Sequence, residues 1–173
     1  NAPTARSESV TVGNGARKTL VWSGSYTWNG GIFDSATNTW TVVPNNDSAP
    51  FVQGVEGTGA WLGDRFGVLD QSWNGTQSTL LYRLDNATTG EWSHATQENA
   101  PARGANDKSR PGIWTGKRFM TWGVGSCNSG SEGKAYDRAR DLWTTLPTEN
   151  APASGSGAAV FRLGAGTAVW GGS

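Results

Sequence analysis

Two glycine-rich stretches hold the residues best suited to touching a ligand. Tyr26, Trp28 and Asn29 lie in the first, Trp73 and Asn74 in the second, and Trp-Asn-Gly occurs in both, at 28–30 and 73–75. An indole in such a loop offers a flat apolar face beside amide donors and acceptors, which suits sugar stacking or a protein hot spot. Two indoles folded back over the protein's own edge would show the same pattern. Residues for covalent or acid–base chemistry are scarce. His94 is the only histidine and Cys127 the only cysteine, which argues against Ser-His-Asp and Cys-His sites. It also excludes an intrachain disulfide and zinc sites built from four cysteines or paired cysteines and histidines. Neither G-x-G-x-x-G nor G-x-x-x-x-G-K-[ST] is present, so no phosphate loop is expected. Asp64, Asp70, Glu91 and Glu132 fall at scattered turn or surface positions. No catalytic residue, metal or cofactor is expected, and His94 reads as structural or surface.

The elements that must position these loops are short strands. Glycine supplies 25 of 173 residues, about twice its usual share of ~7%, which favours tight turns between strands over helices. The length suits one domain, residues 1–173, or a piece of a larger one. The formal net charge is zero, so no nucleic-acid or membrane partner is implied. Eight of the fourteen Lys and Arg residues lie between Arg103 and Arg140, but Asp107, Glu132, Asp137 and Asp141 are interspersed, as on a solvated face. No run of eighteen apolar residues or signal peptide is visible. The start at Asn1 suggests a processed or cut chain.

Internal repetition organises the whole chain. Ala-Pro recurs at 2–3, 49–50, 100–101 and 151–152, with spacings of 47, 51 and 51 residues. Trp40-Thr41, Trp92-Ser93 and Trp143-Thr144 form a second marker. Phe33-Asp34, Leu84-Asp85 and Tyr136-Asp137 precede them, with the Asp six or seven residues before the Trp, and Trp22, Leu69, Trp122 and Trp170 end apolar runs. The repeats are approximately 1–47, 48–98, 99–149 and a partial 150–173. Each complete repeat parses into four strands. In the third they lie near Pro111–Thr115, at Arg118–Trp122, up to Tyr136-Asp137, and from Leu142-Trp143 to before Pro147, with a glycine- and serine-rich loop at Gly123–Gly133. Asp34, Asp85 and Asp137 are expected to cap turns by accepting backbone N–H bonds.

These residues resemble the kelch repeat, whose unit has Gly-Gly after its second strand, an aromatic-Asp turn and a Trp opening the fourth. Gly171-Gly172, Tyr136-Asp137 and Trp143 match, while Leu69-Asp70-Gln71 departs. The resemblance spans essentially the whole chain. It implies an all-β protein of kelch-type β-propeller blades, each of four antiparallel strands, with an incomplete ring in one chain. Propellers close with four to eight blades. The open faces therefore predict self-association or pairing with missing blades of a longer chain, with a compact four-bladed monomer as the alternative. Some kelch propellers are copper oxidases, whose histidines and tyrosines this chain does not supply. Others are sugar-acid epimerases, so a related epimerase or lyase-like enzyme stands as an alternative function, beside a purely structural scaffold. The leading expectation is a non-catalytic module binding carbohydrate or protein through the loops at Trp28 and Trp73. The composition suggests an extracellular or periplasmic protein. Asn46, Asn74 and Asn86 open N-x-S/T sequons. Trp40, Trp92 and Trp143, with Trp22, Leu69, Trp122 and Trp170, are the expected core.

Overall fold

The computed structural model describes residues 2–24, 26–52, 57–70, 79–102, 111–126, 129–152, 158–164 and 166–171. Among them there are fourteen strands and no helix. The first sheet joins β1 (Val10–Gly13), β2 (Lys18–Trp22), β3 (Gly30–Asp34) and β4 (Thr39–Val43) in sequence order. The second joins β5 (Gly57–Trp61), β6 (Phe66–Asp70), β7 (Leu80–Asn86) and β8 (Glu91–His94). The third contains β9 (Gly112–Trp114), β10 (Phe119–Ser126), β11 (Ser129–Asp137) and β12 (Leu142–Thr145), and the last is the pair β13 (Ala159–Leu163) and β14 (Gly166–Trp170). All pairings are antiparallel.

The four sheets are arranged like propeller blades. β1 neighbours β5, β5 neighbours β9 and β9 neighbours β13, so first strands converge at the centre and fourth strands lie outermost. The ring is not closed within this chain. One expectation fails in the third blade. Residues 123–126 and 129–133 are strand rather than loop: Gly123 pairs with Glu132, Val124 with Ser131 and Ser126 with Ser129. Glycine and serine composition signals a loop only when no ladder forms, and here the backbone groups find partners across the hairpin.

Burial is greatest between blades. Trp92 of the second blade meets Trp22 of the first with ring centroids 4.8 Å apart, inside a cluster with Val10, Leu20, Val43, Val52, Phe66, Val68 and Leu84. Trp143 of the third blade packs with Phe119 and Tyr136 against Leu62, Leu69 and Leu81 of the second. The second-strand markers Trp22 and Leu69 face the following blade, and the fourth-strand Trp92 and Trp143 face the preceding one. Two expected core residues accordingly fall short. Trp170 is 75% exposed, because no blade in this chain follows it. Trp40 is only half-buried, with no blade before it. Its indole packs on Phe33 at 5.2 Å, close to Gly31 and Pro3.

The second-strand indoles need space inside their own blade. Trp22 is the register partner of Gly30, and a Cβ on Gly30 would sit 2.2 Å from the Val21 carbonyl oxygen and 2.9 Å from the indole. Trp122 stands opposite Gly133, where a Cβ would come within 2.4 Å of its ring. The second blade replaces the pair with Leu69 opposite Leu81, both buried. Large-on-nothing and medium-on-medium fill similar volume, as close-packed interiors require.

The Ala-Pro segments are inter-blade straps. The Pro50 carbonyl accepts from Trp22 Nε1 at 3.3 Å, satisfying a buried indole N–H. Leu69 has no such donor, and the Pro101 carbonyl instead accepts from Thr79 N at 3.2 Å and Thr79 Oγ1 at 3.0 Å. Turn caps follow expectation at Asp34, which accepts from Ala36 N, and at Asp137, which accepts from Ala139 N and Arg140 N. Asp85 does not cap. A bulge between Leu84 and Asn86 shifts the register, so Asn86 Oδ1 accepts from Thr88 N and Thr89 N. Asp85 pairs with Arg65 instead. Asp70 is 5% exposed rather than on the surface.

The burial asymmetry has a measurable consequence. Trp143 is 2% exposed and donates Nε1 to the Thr96 carbonyl at 3.1 Å. Trp143→Ala should cost about 3–5 kcal/mol of unfolding free energy, and Trp40→Ala clearly less. Urea titration of both variants checks this, and equal costs would contradict the outward-facing position of Trp40.

Candidate functional site

The loop between β2 and β3 is held from beneath. Arg6 Nη1 donates to the carbonyls of Ser23, at 3.0 Å, and Asn29, at 2.7 Å, while Nη2 donates to Asn29 Oδ1 at 2.9 Å. The buried Ser23 hydroxyl lies 2.7 Å from the Val52 carbonyl and 2.9 Å from that of Thr27, and its single proton is shared between them. A side chain at Gly24 would strike the Ser7 carbonyl at 2.8 Å, so the N-terminal segment lies directly against the loop. These bonds satisfy the loop's backbone from the protein side and leave its aromatic residues outward.

Tyr26 is 87% exposed and held at a φ of 60°. A bulky residue in that region is uncommon and needs surrounding structure to maintain it. Trp28 is 39% exposed and stacks on Phe51 of the following strap, with centroids 5.2 Å apart at an interplanar angle of 32°. Trp28 thus neither lies flat over the blade edge nor stands free: one side rests on Phe51. Asn29 is exposed, but its side-chain oxygen is occupied by Arg6. Trp73 and Asn74, the counterparts in the second blade, lie outside the described residues.

Two residues of this surface escape a local reading. Phe51 directly follows the Ala-Pro marker, and its neighbour there could have been sought among the loop aromatics. Arg6 carries no signal in the sequence, because its contacts lie 17 and 23 residues away. Of the sequons, Asn46 and Asn86 spend their side-chain oxygens capping turns, Asn46 accepting from Ser48 N and Asn86 from Thr88 N. Asn74 lies outside the described residues.

The densest titratable cluster joins the second and third blades. Tyr136 donates to Asp141 Oδ1 at 2.6 Å and accepts from Arg83 Nη1 at 3.0 Å. Arg83 also donates to Ser93 Oγ and to the His94 carbonyl. Asp141 Oδ1 further accepts from Thr96 N at 3.2 Å. Burial and the bond to Asp141 push the Tyr136 phenol up to about 12. Burial opposes ionisation of Asp141, but the bonds from Tyr136 and Thr96 and the charge of Arg83 hold its pKa below the usual value. With each partner already bonded, the cluster serves as a latch between blades rather than as an acid–base pair. Arg138 Nη1 to Asp64 Oδ2, at 3.1 Å, adds a second bridge between the same blades. Among the described residues, no three His, Cys, Asp or Glu side chains gather to hold a metal ion.

No protein-family model matches this chain, and no curated protein matches it. The fold and the geometry of its loops therefore carry the functional reading.

The latch makes stability pH-dependent. An unfolded tyrosine titrates near ~10, whereas Tyr136 holds its proton to about 12. Its contribution is complete below ~10 and is lost as pH rises towards the folded value. The unfolding midpoint of the wild type should fall more steeply between pH 9 and pH 12 (about the span set by these values) than that of Tyr136→Phe. Parallel profiles from thermal melts would show that the phenol proton is not stabilised by folding.

Proposed function

We propose that this chain is a non-catalytic binding module of the kelch-repeat propeller type, taking a carbohydrate against the loop between β2 and β3. The observation that carries this reading is the outward aromatic surface of Tyr26 and Trp28, backed by Phe51 and held by Arg6. A flat aromatic face beside amides meets the apolar face of a pyranose and its hydroxyls. The equivalent loop at Trp73 and Asn74 is the second contact in this reading, and an extracellular or periplasmic setting accords with it.

A second reading concerns assembly, and a specific observation favours it. Phe161, Leu163 and Trp170 of the two-stranded blade are all exposed, and the outer edge of β14 has no partner strand among the described residues. Exposed apolar residues next to an open edge invite strand addition. The occupant is another copy of the chain or further blades of a longer one.

Glycan-array binding should be present in the wild type. It should drop by about tenfold or more in Tyr26→Ala/Trp28→Ala, the scale of losing central aromatic contacts. Undiminished binding in the double variant would remove the loop as the site.

A further inference from the structure

The opposite mouth of the ring holds a differently built cleft. Gly13, Trp61, Trp114 and Arg162 each stand two residues before a turn glycine, at Gly15, Gly63, Gly116 and Gly164, all four of which have positive φ. They therefore occupy one position in four successive blades, at or next to the end of the central strands. The four residues, with Asn14 and Ile113, line an open cleft of about 460 Å³. It is distinct from the Tyr26 surface, because β2 runs from Lys18, beside this cleft's turn, to Trp22, which leads into the Tyr26 loop.

Both indoles are half-buried and fixed from behind. Trp61 meets Phe66 edge-on at 5.1 Å. Trp114 packs on Gly63, where a Cβ would come within 2.6 Å of the ring. Arg162 is exposed, and its Nε donates to the Gly164 carbonyl at 3.1 Å. Among the described residues it is the only charged side chain lining the cleft. Among the described residues it pairs with no carboxylate, whereas Arg17, Arg65, Arg83, Arg118, Arg138 and Arg140 each do.

We propose that this cleft binds a small aromatic carboxylate, with its ring against Trp61 and Trp114 and its carboxylate on the Nη groups of Arg162. A guanidinium fork matches a carboxylate bidentately, and indole faces accept a flat aromatic ring. One cation suits a monoanion better than a phosphate or polyanion. A sugar fits less well, because its hydroxyls need several side-chain partners. Among the described residues, Asn14 and the two indole N–H groups are the other side-chain polar groups lining the cleft, and Asn14 Oδ1 already accepts from Ala16 N and Lys18 N.

Calorimetric titration of the whole chain with benzoate, indole-3-acetate, benzamide and glucuronate tests this. The two aromatic acids should bind, and benzamide should bind about tenfold or more weakly, as expected for loss of a charge-assisted bond. Arg162→Gln should weaken both acids by a similar factor with the unfolding midpoint unchanged, since the side chain is exposed. Tyr26→Ala/Trp28→Ala should leave them unaffected, which separates this site from the preceding one. Trp114→Leu should weaken binding of the acids as well; if that variant does not fold, Arg162→Gln still decides. Absence of binding by either aromatic acid at millimolar concentration, equal binding of benzamide, tighter binding of glucuronate, or full affinity in Arg162→Gln would each overturn the proposal.

Discussion

At the interface of the first and second blades, a large ring lies over a residue with no side chain. Trp22 over Gly30 lets the indole lie close to its own sheet and present its outer face to the next blade, and Trp122 over Gly133 repeats the pairing. The cluster around Trp22 and Trp92 depends on that fit. A methyl group at either glycine would lift the ring and open the interface, because a packed interior has no spare volume. The strap from one blade to the next then crosses where a buried N–H requires an acceptor. The Pro50 carbonyl supplies it to Trp22. Packing and polar satisfaction thus fall on the same residue.

The two complete inter-blade interfaces use different chemistry. Between the first and second blades, indole meets indole within an aliphatic cluster. Between the second and third, the Arg83, Tyr136 and Asp141 latch and the Arg138 to Asp64 pair border the apolar cluster. Inside each complete blade an arginine just before the second strand reaches the aspartate near the end of the third: Arg17 to Asp34, Arg65 to Asp85 and Arg118 to Asp137. These pairs are largely exposed and contribute little each, but they tie the hairpin turns to one edge of every sheet.

The four-stranded antiparallel sheets were legible because turn chemistry and large aromatic residues are local signals. The Trp22, Trp92 and Trp143 positions and the turns capped by Asp34 and Asp137 fall where the repeat places them. Some further signal went unread. Gly15-Ala16-Arg17, Gly63-Asp64-Arg65 and Gly116-Lys117-Arg118 form another marker, combining the turn glycine with the pairing arginine. The spacing from Asp85 to Trp92 is one residue longer than from Asp34 to Trp40 or Asp137 to Trp143, which is the trace of the bulge that hands the cap to Asn86. Other features had no local trace. The exposure of Trp170 depends on what lies beyond its sheet, and Phe51 joins Trp28 only through the path of the strap. The hairpin at Ser126 and Ser129 pairs through backbone groups that composition does not report.

Leu69 and Leu81 sit opposite each other on neighbouring strands of a single hairpin. The exchange of a tryptophan and a glycine for two leucines is therefore made between two strands of one blade, while both leucines still pack against Phe119, Tyr136 and Trp143 of the next. What each unit inherits at this spot is a total volume, not a particular residue. An array built this way can diverge one module at a time while its architecture holds. Its internal repetition is then written in distances between landmarks and in facing side chains rather than in identical residues.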